Sequence, residues 1–402
     1  MIKAPFTLCC FIGIFLNLNA QGYNNYKTDT LQFYSKILED SVLVDIHYPL
    51  SLNFKNEEMT FPLIILFDSQ HNNAHPYNIE TINYLTCDNQ IPDCIIAGIP
   101  FSIQNRYYRT SASIPKGDAI SGIQKMETFL FDELKPFLQK EYSTDDYTII
   151  AGHSRTGYLV NYLVTNDYEH FNVAISTSGF YSDELKKEIR ENFLDNIKTQ
   201  QKLFKYYMTA GTSIGEQTYY ADFSEMATFF SSTNIPDNFS WKFIETPYAN
   251  HMTNYTMSLP PVLIDNFSSF NNILNDWLHV KLDSINAEQA LATFKNDLIT
   301  VSKKEGFTVY PSITQVNSIA SYYWNNEQFD IAIDFLNYGK DYYPENYDFD
   351  LFLAFLYKLK EDKNQMMKHI NAARKLVEEN LSILTDEDLK AFEEEISELL
   401  NQ

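Results

Sequence analysis

The sequence predicts an α/β fold, a mostly parallel sheet covered by helices on both faces, followed by a small all-helical region. Three observations carry that expectation. Short apolar runs alternate with segments of helical spacing from Leu31 to Trp277. One run, Tyr147-Thr148-Ile149-Ile150-Ala151, ends in Gly152-His153-Ser154 and passes at once into a helical pattern. From Ser284 the strand-like runs stop, and the spacing stays helical to the C-terminus.

Each element follows from its residues. Residues 21–30 are polar and read as a lead-in. Residues 31–38 and 42–48 are strand-like and flank Glu39-Asp40-Ser41, a hairpin pattern. Residues 62–67 are continuously apolar, as in a strand buried on both faces. They lead into the polar loop Asp68-Ser69-Gln70-His71-Asn72-Asn73, at the strand end where open α/β sheets bind ligands. Residues 77–85 have helical spacing, and 94–99 read as another buried strand. The polar stretch 100–122 is long for a connection, so it is expected to cover a site or to move. Residues 123–138 place Met126, Phe129, Leu130, Leu134, Phe137 and Leu138 at three- and four-residue steps, an amphipathic helix. Beyond Ser154, residues 171–176, 203–210 and 239–244 read as strands. Residues 182–202 read as a helical insertion, and 220–231 and 259–277 as helices.

In the tail, windows opening at Ile313 and Tyr347 put Ala320, Tyr323, Phe329, Ala332, Leu336 and Pro344, then Ala354, Tyr357 and Ala373, at the packing positions of a tetratricopeptide unit. Met366 takes the slot of Ala332, so the second copy is degenerate, and two such copies are expected either to pack on the α/β domain or to end in a capping helix over 386–400. The expected domains are an export signal at 1–20, an α/β domain at 21–283 and a helical domain at 284–402.

The 402 residues are 45% hydrophobic and 15% aromatic, enough to bury substantial cores. The formal net charge of -23 argues against a nucleic-acid partner or an anionic membrane surface, and serves solubility. Lys3 precedes an apolar stretch at 6–18 that is short for a membrane span, and Leu18-Asn19-Ala20 offers a cleavage site before Gln21. An exported, periplasmic or secreted protein is therefore expected, with no membrane span in the mature chain. Cys9 and Cys10 lie within the apolar stretch, which argues against a lipid anchor. Cys87 and Cys94 would remain after cleavage, either as a disulfide or as two thiols flanking a loop.

The chemistry centres on Ser154. A β-branched run, a tight Gly-x-Ser turn and an immediate helix read as a nucleophile elbow, with Thr156 where a second glycine is usual. A serine hydroxyl needs an adjacent base. His251 lies just after the last strand, where the base of this layout belongs, and Glu216 falls between the two in chain order as the orienting acid. Asp222 and Glu245 are alternative acids. The oxyanion would take the backbone N–H of Arg155 and one from Gln70 or Ser69. Arg106, Arg109 and His153 are expected to contact substrate. His71 and His75 are four residues apart but lack a third ligand, so neither a metal nor a cofactor is expected.

Several of these segments resemble the putative-esterase family of α/β-hydrolases, which holds esterase D and the ferric-siderophore esterases. The resemblance spans about Phe33 to Trp277. It rests on Ser35-Lys36-Ile37-Leu38, Val44-Asp45-Ile46-His47-Tyr48-Pro49, Leu66-Phe67-Asp68 and Ile96-Ala97-Gly98-Ile99-Pro100. It continues through Arg106-Tyr107-Tyr108-Arg109-Thr110, Phe131-Asp132-Glu133-Leu134-Lys135-Pro136-Phe137, Gly152-His153-Ser154 and the His251 segment. It implies an α/β-hydrolase fold and serine ester hydrolysis with Ser154 and His251 as the core pair. Family members usually carry glycine at the positions of Thr156 and Ser69.

The leading expectation is an exported serine esterase acting through an acyl-enzyme on a small siderophore, sugar or aryl ester. The alternatives are a degenerate hydrolase that binds a protein partner through its helical repeats, and an acyltransferase.

Overall fold

A computed structural model describes residues 25–200 and 202–401. The expected export signal lies outside the described residues. Two compact units divide the chain, Tyr26–Gln315 and Val316–Gln402.

In the first unit, β1 (Tyr26–Ser35) and β2 (Asp40–Pro49) form an antiparallel hairpin. β1 begins inside the expected lead-in, because every residue from Tyr26 finds a partner on β2. β2 runs antiparallel to β4 (Ile95–Ile99). From there β4, β3 (Phe61–Phe67), β5 (Thr144–His153), β6 (Val173–Thr177), β7 (Phe204–Gly211) and β8 (Phe239–Thr246) are parallel. The sheet order is β1-β2-β4-β3-β5-β6-β7-β8. β3 and β4 are buried along their whole length, as their unbroken apolar runs require.

The helices of this unit are α1 (Ala74–Cys87), α2 (Ile103–Arg109), α3 (Gly122–Thr128), α4 (Lys135–Tyr142), α5 (Arg155–Asn166), α6 (Asp183–Glu188), α7 (Leu194–Ile197), α8 (Gln217–Ser231), α9 (His251–Met257), α10 (Leu259–Asn266), α11 (Ser268–Asp276) and α12 (Ala290–Glu305). A π-helical turn, Phe129–Leu134, joins α3 to α4. The chain steps one way from β3 to β4 and the other way from β4 through β8. Right-handed crossovers therefore put α1 on one face and α3 to α8 on the other. α9 and α10 return to pack beside α1, and α12 packs on α11. Because the central strands are parallel, their exit loops all open at one edge.

Four sequence readings are corrected or decided here. The stretch 100–122 is not plain loop: α2 forms inside it, capped by Ser102, whose side chain accepts from Asn105 N. Helix α12 belongs to the first unit, so the compact division falls after Gln315 rather than at 283/284. Its Glu305 carboxylate is buried and accepts from Lys205 Nζ at 3.2 Å and Ser269 N at 3.2 Å. Cys87 and Cys94 are separate thiols and not a disulfide. Cys94 is buried with its Sγ turned to the Pro92 carbonyl, whereas Cys87 is exposed at the end of α1. His75 is buried against His47, Nε2 to Nε2 at 3.1 Å, and so does not share a ligand face with His71.

The helices that follow are α13 (Ile313–Asn325), α14 (Phe329–Tyr342), α15 (Tyr347–Leu359), α16 (Lys363–Glu379) and α17 (Asp386–Asn401). The starts of α13 and α15, and of α14 and α16, lie 34 residues apart (347 − 313 and 363 − 329). Ala320, Tyr323, Ala332, Leu336, Ala354 and Ala373 are all buried. Asp350 is buried in a charged network, 2.6 Å from Lys340 Nζ and 2.7 Å from His369 Nδ1. Among the described residues, no helix is long and apolar enough to cross a membrane.

Candidate active site

β5 delivers Ser154 to the open edge of the sheet. Ser154 is the N-cap of α5 with φ 57° and ψ -112°, a conformation rare for any residue with a Cβ. Two bonds hold the strained turn: Ser154 N donates to Thr177 O at 2.9 Å, and Tyr158 N donates to Ser154 O at 3.0 Å. Two glycines make room for it. A Cβ at Gly152 would lie 2.5 Å from Thr156 O, and one at Gly157 would lie 2.8 Å from Gly179 Cα. The turn thus has the strand–turn–helix form expected of a nucleophile elbow, with Gly157 at its second close approach.

His251 is the first residue of α9, not a loop residue. Asn250 caps that helix, its side chain accepting from Met252 N and Thr253 N. His251 Nδ1 lies 2.7 Å from Glu216 Oε1. Glu216 ends the loop after β7 and is fully buried. Its carboxylate also accepts from Ser178 Oγ at 2.6 Å and Gly211 N at 3.0 Å. Burial alone would raise the Glu216 pKa, but the bonds from His251, Ser178 and Gly211 reverse that and hold it below the usual glutamate range. An ionised Glu216 fixes the proton on His251 Nδ1 and leaves Nε2 as the basic nitrogen. The imidazole is 28% exposed, and Tyr219 stacks on it with ring centroids 4.4 Å apart. Ser154 Oγ and His251 Nε2 are not hydrogen-bonded to each other, and neither has another partner among the described residues. The alternative acids are engaged elsewhere: Asp222 with Lys186, and Glu245 with Tyr220.

His153 does not face a substrate. It is buried, its Nε2 donates to the His251 carbonyl at 2.6 Å, and its ring lies 4.6 Å from that of His251. Burial, then the neighbouring His251, push its pKa down to about 4, so it is neutral at ordinary pH. It is a brace that seats α9 against the elbow. Sequence reading also missed the buried polar chain behind Glu216. Asn254 Nδ2 donates to Ser178 Oγ at 2.8 Å, and Ser178 Oγ donates on to Glu216. Asn254 lies three residues after His251, so one face of α9 presents both. That spacing was the available signal.

The loop after β3 is tied to the elbow through Asp68. Its fully buried carboxylate accepts from Arg106 Nε and Nη2, both at 2.7 Å, from Gln70 Nε2 at 2.9 Å and from Thr156 Oγ1 at 2.7 Å. Burial works against this charge, yet the Arg106, Gln70 and Thr156 bonds hold its pKa below the usual range. Thr156 Oγ1 in turn accepts from His153 N at 2.8 Å. Gln70 Oε1 accepts from Phe101 N at 2.9 Å, which pins the loop from its other side. Of the two oxyanion candidates, Ser69 N is engaged by Ile99 O at 3.3 Å, while Gln70 N has no partner among the described residues. Arg155 N is the first amide of α5, beyond the reach of any intrahelical carbonyl.

Arg106 and Arg109 therefore hold the scaffold. Arg109 is buried and paired with Asp40 at 2.6 Å. Arg155, by contrast, has no carboxylate partner among the described residues. It donates to Thr110 Oγ1 at 2.8 Å and Thr110 O at 2.7 Å, and lies over the rings of Tyr107 and Tyr158. Sequence reading used only its backbone amide.

An eight-stranded, mostly parallel sheet with a strained serine at the end of a central strand, and a histidine–carboxylate pair on the exits of later strands, defines an α/β-hydrolase. The family model described as "Putative esterase" matches residues 35–241, that is 207 of the 402 residues. The chain belongs to that family and is a carboxylic ester hydrolase. No curated protein matches it. Solved structures share its fold at low identity. An uncharacterised protein from Capnocytophaga ochracea is 16% identical with a TM-score of 0.57, over 87% of this chain and 93% of that one. An IroE-like serine hydrolase from Shewanella oneidensis is 15% identical with a TM-score of 0.57, over 78% of this chain and 98% of that one. The BES protein from Bacillus cereus is 19% identical with a TM-score of 0.50, over 60% of this chain and 94% of that one.

Proposed function

We propose that this chain is an exported serine esterase that works through an acyl-enzyme on a small ester. The observation that carries the reading is the 2.7 Å bond from His251 Nδ1 to the buried Glu216, on the same sheet edge as the strained Ser154. Ser154 Oγ attacks the ester carbonyl while its proton passes to His251 Nε2. The tetrahedral oxyanion is met by the N–H groups of Gln70 and Arg155, each such donor contributing roughly a hundred- to a thousand-fold in rate. His251 then returns the proton to the departing alcohol. Water, activated by the same nitrogen, releases the acid and restores Ser154. Export rests on Lys3, the apolar stretch 6–18 and Ala20.

The test is labelling by a fluorophosphonate probe and hydrolysis of p-nitrophenyl butyrate, for the wild type and Ser154→Ala. The wild type is expected to label and turn over, and the variant to do neither. Equal activity in the two would refute the assignment. Siderophore lactones, acetylated sugars and feruloyl esters form the substrate panel, and added alcohols reveal any acyl transfer.

A second reading concerns the helical tail. The 34-residue recurrence of helix starts supports two tetratricopeptide-like pairs and, with them, a protein-binding surface. Pull-down of the same protein by the full chain and by Ser154→Ala would support it; a chain that captures nothing would not.

A further inference from the structure

The end of α5 remote from Ser154 carries a second cluster of chemistry-bearing side chains. Asp167, Glu169 and His170 follow the helix, and their ligand-capable atoms all lie within 4.8 Å of one another. Asp167 is only 6% exposed, and its Oδ2 meets no hydrogen-bond donor among the described residues. Glu127 of α3 sets its carboxyl against that of Asp167, and Asp132 adds negative charge nearby. His170 Nε2 lies 3.6 Å from Asp167 Oδ1 and 3.9 Å from Glu169 Oε1. The His170 ring is held flat against Phe131, with centroids 5.0 Å apart and planes within 11°.

No Lys or Arg side chain answers this charge among the described residues. The two nearby amines, Lys135 and Lys202, are turned to the backbone carbonyls of His170 and Glu169. Two carboxyls facing each other beside an orphaned buried oxygen need a positive charge or a proton between them. We propose that Asp167, Glu127, Glu169 and His170 form a site for a divalent cation of the Zn2+ or Mn2+ class, which clamps the end of α5 to α3.

Three carboxylates with one imidazole suit such a cation better than Ca2+, which takes six to eight oxygens. The His170-to-carboxylate separations are close to those of two ligands on an ion bonded at about 2.0–2.2 Å. The site does not depend on ester hydrolysis. Its structural consequence is to anchor the helix whose other end presents Ser154.

The test is calorimetric titration of chelator-stripped, tag-free protein with ZnCl2 and MnCl2, with CaCl2 and MgCl2 as comparators. It is paired with thermal unfolding. One saturable site is expected for Zn2+ or Mn2+, with a raised Tm. Asp167→Asn and Glu169→Ala should each weaken binding by at least about tenfold. Glu169 is 62% exposed at its side chain, so its replacement leaves the fold intact. The proposal is overturned if the wild type shows no saturable binding, or if both variants bind as it does. A more stable Asp167→Asn in a protein that binds no cation would equally overturn it, showing that the two carboxyls share a proton.

Discussion

Thr156 Oγ1 donates to Asp68 Oδ2 at 2.7 Å and so joins the nucleophile elbow to the loop that carries Gln70. Glycine is usual at this position, and glycine could not make the bond. The threonine thus ties the elbow rather than distorting it. Thr156→Val keeps the shape but takes one of four bonds from Asp68 and strands the His153 amide. A loss of about 1–3 kcal/mol in unfolding free energy is expected, with a lower kcat on a chromogenic ester. Thr156→Ser should restore both; a valine variant matching the wild type would show the bond to be idle.

Arg106 and Asp68 form a bidentate pair in which Asp68 is fully buried. Removing one partner of such a pair costs about 3–5 kcal/mol, because a buried charge is left alone. Arg106→Gln should therefore be strongly destabilised in urea unfolding. Combining it with Asp68→Asn should recover part of the loss, since no charge then remains. An additive double variant would mean that the two residues act separately.

Glu216 holds His251 by charge and geometry together. Glu216→Gln keeps the shape, but its amide can stabilise the wrong imidazole tautomer. A fall in kcat of roughly a thousand- to ten-thousand-fold is expected. Asp222→Asn, which touches only the Lys186 cluster and the Tyr181 amide, should change kcat little. Ser178→Ala removes one of the bonds that depress the Glu216 pKa. Stability from a depressed carboxyl is present above its unfolded pKa and lost as pH falls through its folded one. The Ser178→Ala variant should therefore lose stability at higher pH than the wild type on acidification. Unchanged acid unfolding would argue against the bond.

His153 works with the opposite proton bookkeeping. Its folded pKa of about 4 lies below the unfolded value of about 6.5. Above pH 6.5 both states are neutral and its contribution is complete. As pH falls from about 6.5 to 4 the unfolded state takes up the proton first, and stability declines. His153→Gln can keep the donor to the His251 carbonyl without titrating. The wild type should lose about 2–3 kcal/mol more than this variant across that window, by thermal or urea unfolding at stepped pH. Parallel stability curves for the two would show that His153 is not held neutral by the fold.

Much of the architecture could be read from local pattern. The apolar runs at 62–67 and 94–99 became fully buried parallel strands, because only a strand covered on both faces tolerates unbroken hydrophobicity. The Gly152-His153-Ser154 turn was legible because small residues, a strand before and a helix after are all local requirements. The end of the first unit was less legible. Nothing in the residues around Ser284 reveals that Glu305 will be buried with Lys205 and the Ser269 amide.

The sequence by itself determined the strand–turn–helix that strains Ser154, the chain order of serine, acid and histidine, and the acidic, aromatic-rich composition. Only the tertiary structure decided which polar groups meet. It put Glu216 on His251, turned His153 into a brace, and paired Arg106 with the buried Asp68 and Arg109 with Asp40. It also gathered Glu127, Asp167 and His170 at the far end of α5. The physical reason is range. Backbone conformation follows from neighbours a few residues away, whereas a buried charge is settled by a partner tens of residues distant that local spacing does not encode.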